Sequence, residues 1–118
     1  MLAHCNGSLT VYDQTNEREI YRRFINMPKE IDLPVGNGRA TVQATRGFKQ
    51  WFSTRERGLT VESTMSVSAE CGQSHDEIMN AGAAVGELAV QLADNGLAQM
   101  QEEFLDVWVK QVTRQGRG

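Results

Sequence analysis

The clearest pattern of hydrophobic and polar positions runs from Leu59 to Cys71, where apolar and polar residues alternate. One parity carries apolar residues and is interrupted only by Ser63, whereas the other carries threonine, serine and glutamate. Successive side chains of a strand point to opposite faces of the sheet. The pattern therefore predicts a half-buried strand with one face open to solvent.

A long helix is predicted directly after this strand. Ser74 and Glu77 have the spacing of a capping box, and no proline follows before Arg114. Apolar residues recur at helical spacing over the whole stretch, at Ile78, Val85, Leu88, Leu92, Leu97, Met100, Phe104, Val107 and Trp108. We expect Asn95-Gly96 to bend or briefly interrupt this helix. A row of small residues is predicted to pack tightly on the protein's own sheet, with a partner helix as the alternative, at Gly82, Gly86, Ala89 and Ala93.

The first 58 residues predict shorter elements. Leu9 and Val11 indicate a strand over 7–13, with Tyr12 on its opposite side. A short helix is predicted over 16–26. Asn16 and Glu19 have the spacing of a capping box, and apolar residues follow at helical spacing, at Ile20, Phe24 and Met27. Pro28 is expected to end this helix. A strand over 31–35, a Gly36-Asn37-Gly38 turn and a strand from Ala40 to Lys49 follow.

These elements predict an α+β fold of one domain, residues 1–118, with a flexible tail over 113–118. The expected order is β-α-β-β-β-α, with an antiparallel sheet of three to four strands covered on one face by the short and the long helix. The α-β-β-β-α part resembles the double-stranded-RNA-binding domain in topology. That family has lysines where this chain has Ser74-His75-Asp76-Glu77, and an acidic helix start repels phosphate, so membership is not assigned.

Composition adds information about partners rather than about the fold. Residues 39–58 contain five basic residues and one acidic, whereas residues 59–106 contain nine acidic residues and no basic one. The chain starts without the basic and apolar regions of a signal peptide, and no stretch has the length and hydrophobicity of a membrane span. We therefore expect a cytoplasmic protein whose two cysteines are thiols.

The basic segment is also aromatic, which is the combination that single-stranded nucleic acid requires for phosphate contacts and base stacking. Trp51 falls on the solvent parity if Val42 and Phe48 face the core. The predicted nucleic-acid-binding residues are Arg46, Lys49, Trp51, Arg55 and Arg57. In the alternative interpretation, Phe48, Trp51 and Phe52 pack under the long helix and the cations only keep a sheet edge soluble.

The end of the long helix has more large apolar residues than one stripe can hold. We expect a homodimer interface there, at Phe104, Leu105, Trp108, Val109 and Val112, with a second contact to the first helix as the alternative. The rival function that follows is a protein–protein adaptor or self-assembling subunit, in which the basic hairpin meets the acidic helix of a neighbour.

Catalytic and metal chemistry have weaker support. The pairs His4-Cys5 and Cys71/His75 have the number of ligands for zinc, but adjacent side chains of an extended segment point apart and Cys71 lies on the apolar parity. Helix capping and the helix dipole explain the acidic residues near His75. We expect no metal, no cofactor and no enzyme activity. The sequence predicts a small binding protein for single-stranded nucleic acid.

Overall fold

The computed structural model describes residues 1–105 of the chain, with side chains described up to Phe104. Four antiparallel strands form one sheet: β1 (Leu2–Asp13), β2 (Arg18–Glu30), β3 (Ala40–Ser53) and β4 (Gly58–Cys71). A long helix, α1 (His75–Met100), follows and continues into a π-helical turn over Gln101–Leu105. The strand order across the sheet is β2-β1-β4-β3, and α1 lies on one face. The α+β class is confirmed.

The predicted first helix is wrong, because residues 18–30 form the edge strand β2, paired with β1. Tyr21 and Ile25 lie on the face that carries α1, whereas Phe24 lies on the opposite face and is exposed. An edge strand with apolar residues on both faces has apolar residues three and four apart, which imitates a helix. Pro28 is compatible with this position, because an edge strand tolerates a missing backbone N–H.

The predicted strand over 31–35 is also absent. The antiparallel meander expected from that strand, the strand from Ala40 and the strand from Leu59 is therefore wrong. The chain from 31 to 39 closes the end of the sheet: Ile31 N–H donates to Met1 O at 2.8 Å, and Ile31 and Leu33 are half-buried. The observed order is β-β-β-β-α, which removes the topological resemblance noted above. Only the β3–β4 hairpin of the predicted meander exists, with β4 pairing on its other side with β1.

The core lies between α1 and the alternating strands, and the predicted face of β4 is confirmed. The buried residues of β1 and β4 face α1, among them Cys5, Leu9, Val61, Met65 and Val67. Ser74 caps α1, since its Oγ accepts from Glu77 N–H at 3.2 Å and donates to the Glu77 carboxylate at 2.8 Å. The predicted N-cap at Ser74 is therefore confirmed, with the Glu77 carboxylate bonded to the Ser74 hydroxyl.

Two expectations about small residues in α1 need correction. The helix runs through Asn95-Gly96 without interruption, and Gly96 is buried against the sheet. Ala89 and Ala93 pack on the sheet as predicted, but Gly82 has open space where a Cβ would lie. The first half of the row of small residues therefore faces away from the protein's own core. The predicted tail over 113–118 lies outside the described residues.

Candidate nucleic-acid interface

The side of the sheet away from α1 is here named the open face. It consists of the even-numbered residues of β1 and β4 and the odd-numbered residues of β3, joined by Phe24 and Arg22 of β2. Most of its side chains are serine, threonine, asparagine and glutamine. No residue of α1 covers this face, because the helix packs on the opposite side.

Three aromatic rings are exposed on the open face. Trp51 is 60% exposed, Phe24 is 73% exposed and Tyr12 is 38% exposed. Tyr12 and Trp51 lie in one cross-strand row, with Thr60 of β4 between them. Neighbouring strands lie about 4.8 Å apart, so the backbones that carry these two rings are about 10 Å apart. The rings can therefore stack on different groups of one extended ligand.

Two cations lie beside these rings, each with a carboxylate neighbour. Lys49 Nζ is 3.4 Å from Glu62 Oε2, and Arg22 Nη2 is 2.6 Å from Glu19 Oε1. The Arg22 guanidinium also lies over the Phe24 ring, 5.7 Å from its centroid. All four charged side chains are well exposed. Exposed ion pairs contribute only about 0–1 kcal/mol, so a phosphate can replace either carboxylate at small cost.

The two hairpin turns at this end of the sheet are joined to each other. Gln14 N–H donates to Gly58 O at 3.0 Å, and Gly58 N–H donates to Thr15 Oγ1 at 2.9 Å. Arg55 is exposed in the β3–β4 turn, at the same end of the sheet as Trp51. Arg55 therefore belongs to a turn that is fixed to the neighbouring turn, at the end of the sheet that carries Trp51 and Tyr12.

Asp13 is the buried centre of this contact. Its carboxylate accepts from Asn16 Nδ2 at 2.7 Å and from Thr15 N–H at 3.0 Å, and Arg57 Nη2 lies 3.8 Å away. The Asn16 side chain is the main reason why the pKa of Asp13 is lowered, with Thr15 and Arg57 acting in the same direction against burial. Arg57 is mostly buried against this carboxylate, which gives it a structural role in the turn.

The structure brings together only part of the predicted site. Lys49 and Trp51 lie on the open face and Arg55 is nearby, but Arg46 lies on the α1 side of β3 near Gly86. Phe48 and Phe52 face the α1 side and are half-buried, whereas Trp51 points away, as the parity of the strand predicted. The alternative in which all three rings pack under the helix is therefore wrong.

Sequence reasoning missed Phe24 and Arg22 as members of this face. Both were assigned to a helix, where their relation to Trp51 could not be recognised. The position of Tyr12, on the parity opposite Leu9 and Val11, was a usable signal, because it placed one ring on the solvent side of β1.

In both histidine–cysteine pairs, His4-Cys5 and Cys71/His75, the cysteine is buried and the histidine is exposed. Cys5 and Cys71 are buried free thiols on the α1 side, and burial raises the pKa of the Cys5 thiol. His4 is exposed on the open face and His75 is exposed at the start of α1. Among residues 1–105 no group of three His, Cys, Asp or Glu side chains could hold a metal ion. Within the same range, no helix has the length and hydropathy needed to cross a bilayer.

Of the predicted dimer residues, Phe104 has a contact within its own chain. Its ring centroid lies 4.6 Å from that of Tyr21, with the rings tilted by 48°. The side chains of Leu105, Trp108, Val109 and Val112 lie outside the described part of the chain. The C-terminal interface stays a prediction.

No protein-family model, curated protein or solved structure matches this chain.

Proposed function

We propose that the open face binds single-stranded nucleic acid, with bases stacked on Trp51, Tyr12 and Phe24. The observation that carries this proposal is the exposure of three aromatic rings on one uncovered sheet face. Stacking on an exposed ring contributes about 1–3 kcal/mol per base and tolerates any sequence, because every base has a π face. Single exposed rings are common on protein surfaces, whereas exposed apolar groups that share one face mark interaction sites, so three rings on the open face favour a ligand.

The phosphate contacts in this proposal come from Lys49, Arg22 and Arg55. Each side chain lies beside the aromatic region and is exposed, and Arg46 is left out because it lies on the other side of the sheet. Neutral hydroxyl groups on the open face near the rings, at Ser8, Thr10 and Thr64, supply hydrogen bonds to base edges and sugars. The ligand is held mainly by stacking, with a few phosphate contacts.

A small number of cations gives a specific salt dependence. For single strands the slope of log K against log salt is about −0.7 for each neutralised phosphate. Three cations therefore predict a slope near −2, much shallower than for a protein with a broad basic patch. A flat sheet face also cannot enter a groove of a duplex, so single strands are expected to bind more tightly than duplexes of the same length.

The test is fluorescence anisotropy of a labelled single-stranded oligonucleotide, titrated with protein at low and at moderate salt. Trp51→Ala is expected to weaken binding about tenfold, which corresponds to one lost stacking contact. Val35→Ala serves as the matched control, because Val35 is 84% exposed but lies in the connection between β2 and β3. No binding at low salt, or equal loss in both variants, would refute the proposal.

The second candidate function is a protein–protein adaptor or self-assembling subunit. It is favoured by apolar side chains exposed on α1 at Ile78, Met79 and Val90, combined with acidic charge along the same helix. Sedimentation equilibrium of the pure protein at several salt concentrations tests it. A monomer at every concentration would reject self-assembly.

The cytoplasm is the compartment that we propose for either function. Cys5 and Cys71 are both free thiols, which is the usual state in a reducing compartment.

A further inference from the structure

The two edges of the sheet differ in how well they are protected against pairing with another strand. The edge strand β2 carries Pro28 and six charged residues among its 13 residues. The edge strand β3 has 14 residues, no proline, and only Arg46 and Lys49 as charged residues. Proline and charge are the usual means of blocking an edge. The β3 edge lacks both over most of its length, and among residues 1–105 no strand lies on its outer side.

The helix also presents an uncharged surface on the side of β3. This α1 stripe is defined as Met79, Gly82, Ala83, Gly86 and Val90, which follow one another at helical spacing. Met79, Gly82 and Ala83 border a shallow cavity with Val42 and Gln43 of β3, and the side-chain atom nearest to Gly86 belongs to Arg46. Met79 is 59% exposed. The other side of α1 carries polar residues, among them Glu87 and Gln91.

We infer that β3 pairs with β3 of a second copy of this chain, in antiparallel orientation across a two-fold axis, and that the two α1 stripes pack together. The pairing would join two sheets into one sheet of eight strands. This inference specifies a surface for the self-assembly function proposed above, and it does not depend on nucleic-acid binding.

The spacing of the elements supports this arrangement. Around Gly82 and Gly86 helix α1 packs on both β3 and β4, and it approaches β1 only toward Gly96; at the expected contact its axis is therefore taken to lie above the β3–β4 boundary, half a strand spacing from β3. With about 4.8 Å between strands, pairing of two β3 edges places the helix axes about 9.6 Å apart. Packed helices have interaxial distances of about 8–10 Å. A helix centred above β3 would clash with its copy, and a helix centred above β4 would not reach it.

The residues at the expected contact suit a two-fold axis. Gly82 lies near Val42 and Gly86 near Arg46, so an axis between these positions, near Ala44 and Thr45, sets Gly82 of one copy against Gly86 of the other. Self-complementarity of this kind is what a two-fold interface requires. The four charged residues of α1, Asp76, Glu77, Glu87 and Asp94, lie outside the α1 stripe, so no charge is buried where the two stripes meet.

The test uses Gly82→Arg in the full chain, followed by sedimentation equilibrium. No atom lies within 4 Å of a Cβ built on Gly82, so the monomer accepts the side chain, and removal of a helical glycine favours α1. We expect a dimer for the wild type and a dissociation constant at least tenfold higher for Gly82→Arg. Gln91→Arg is the matched control, because it adds the same side chain on the opposite side of α1 and is expected to leave the dimer unchanged.

Hydrogen exchange distinguishes strand pairing from a contact of helices alone. Amides on the outer side of β3 are expected to be protected in the concentrated wild type and to exchange fast in Gly82→Arg, while those of the β2 edge exchange fast in both. A monomeric wild type would overturn the inference together with the self-assembly function. A dimer that resists Gly82→Arg but dissociates on Trp108→Asp would overturn the inference alone and move the interface to the C-terminal segment.

Discussion

Gly96 of α1 lies directly against Ser63 of β4. A Cβ built on Gly96 would be 2.8 Å from Ser63 Oγ, and it would also be 2.9 Å from Leu9 Cδ2. Real Cβ atoms do not approach so closely, so the small size of both residues sets the distance between helix and sheet. Ser63 is the one polar residue on the buried face of β4, and Gly96 is the one glycine in the second half of α1. The close approach of helix and sheet therefore explains both residues.

We predict opposite effects of the same substitution at two glycines of α1. Gly96→Ala is expected to lower the free energy of unfolding by about 1–3 kcal/mol, because overpacking exceeds the gain in helix propensity. Gly82→Ala is expected to raise it by up to about 1 kcal/mol, because its Cβ meets open space. Urea denaturation of both variants measures the difference. Equal effects would show that Gly96 is not in close contact with the sheet.

Ser63→Ala is predicted to be neutral or stabilising. The Ser63 hydroxyl is buried and has no hydrogen-bond partner among residues 1–105, so its removal loses no bond within this range and relieves a desolvated polar group. Ser66→Ala is the control, because the Ser66 hydroxyl bonds Gln43 Nε2 at 2.8 Å on the open face. A loss of more than about 1 kcal/mol on Ser63→Ala, measured by urea denaturation, would indicate a hidden partner for this hydroxyl.

The strand–helix unit could be predicted from the sequence because its signals are local and agree with each other. In β4 one face is buried and the other is solvated, so alternation is clear, and Ser74 with Glu77 marks the start of α1. Trp51 could be placed for the same reason, since Phe48 and Val42 fix the parity of β3.

The edge strand β2 could not be recognised, because its pattern follows from tertiary contacts that the sequence does not show. The helix α1 covers β3 and β4, so β2 remains largely exposed. Burial alternates over Tyr21–Ile25, but Arg23 on the inner side and Phe24 on the outer side hide this alternation in the sequence. Phe24 is apolar because of its place on the open face and not because it is buried. Chance spacing with Ile20 and Met27 then favoured a helix.

Stability is predicted to depend on pH through Asp13. Its pKa is lowered in the folded state from an ordinary value near 3.8, so its carboxylate contributes stability above that value, which is lost as the pH falls through the folded pKa. Asp13→Asn is expected to reduce the free energy of unfolding by about 1–3 kcal/mol at pH 7 and by less near pH 3. Urea denaturation at both pH values measures this. Asp32→Asn, an exposed carboxylate elsewhere in the chain, is the control, and the same pH profile for both variants would contradict the role of Asp13.

Substitutions of two cations of the predicted site, Lys49 and Arg57, are expected to have different effects, one on ligand binding and the other on stability. Lys49→Gln should weaken binding of the single-stranded oligonucleotide and make the salt slope about 0.7 shallower, with little change in stability, because its pair with Glu62 is exposed. Arg57→Gln should lower stability by about 1–3 kcal/mol with little change in the salt slope, because Arg57 lies against the buried Asp13. Anisotropy and urea denaturation of both variants provide the comparison. A shallower salt slope for Arg57→Gln and a loss of stability for Lys49→Gln would instead indicate that Arg57 contacts the ligand and that Lys49 stabilises the fold.

The contact between Tyr21 and Phe104 is predicted to contribute to the stability of the monomer. A double-mutant cycle of Tyr21→Ala and Phe104→Ala is expected to give a coupling free energy of about 0.5–1.5 kcal/mol, as for other tilted aromatic pairs. Tyr12→Ala combined with Phe104→Ala is the control, since Tyr12 lies on the open face and the two effects should add. Absence of coupling, together with a weaker dimer in Phe104→Ala, would assign Phe104 to the C-terminal interface that the sequence predicted. Coupling without an effect on the dimer would make Phe104 the residue that fastens the end of α1 to β2, the strand that the rest of the helix leaves uncovered.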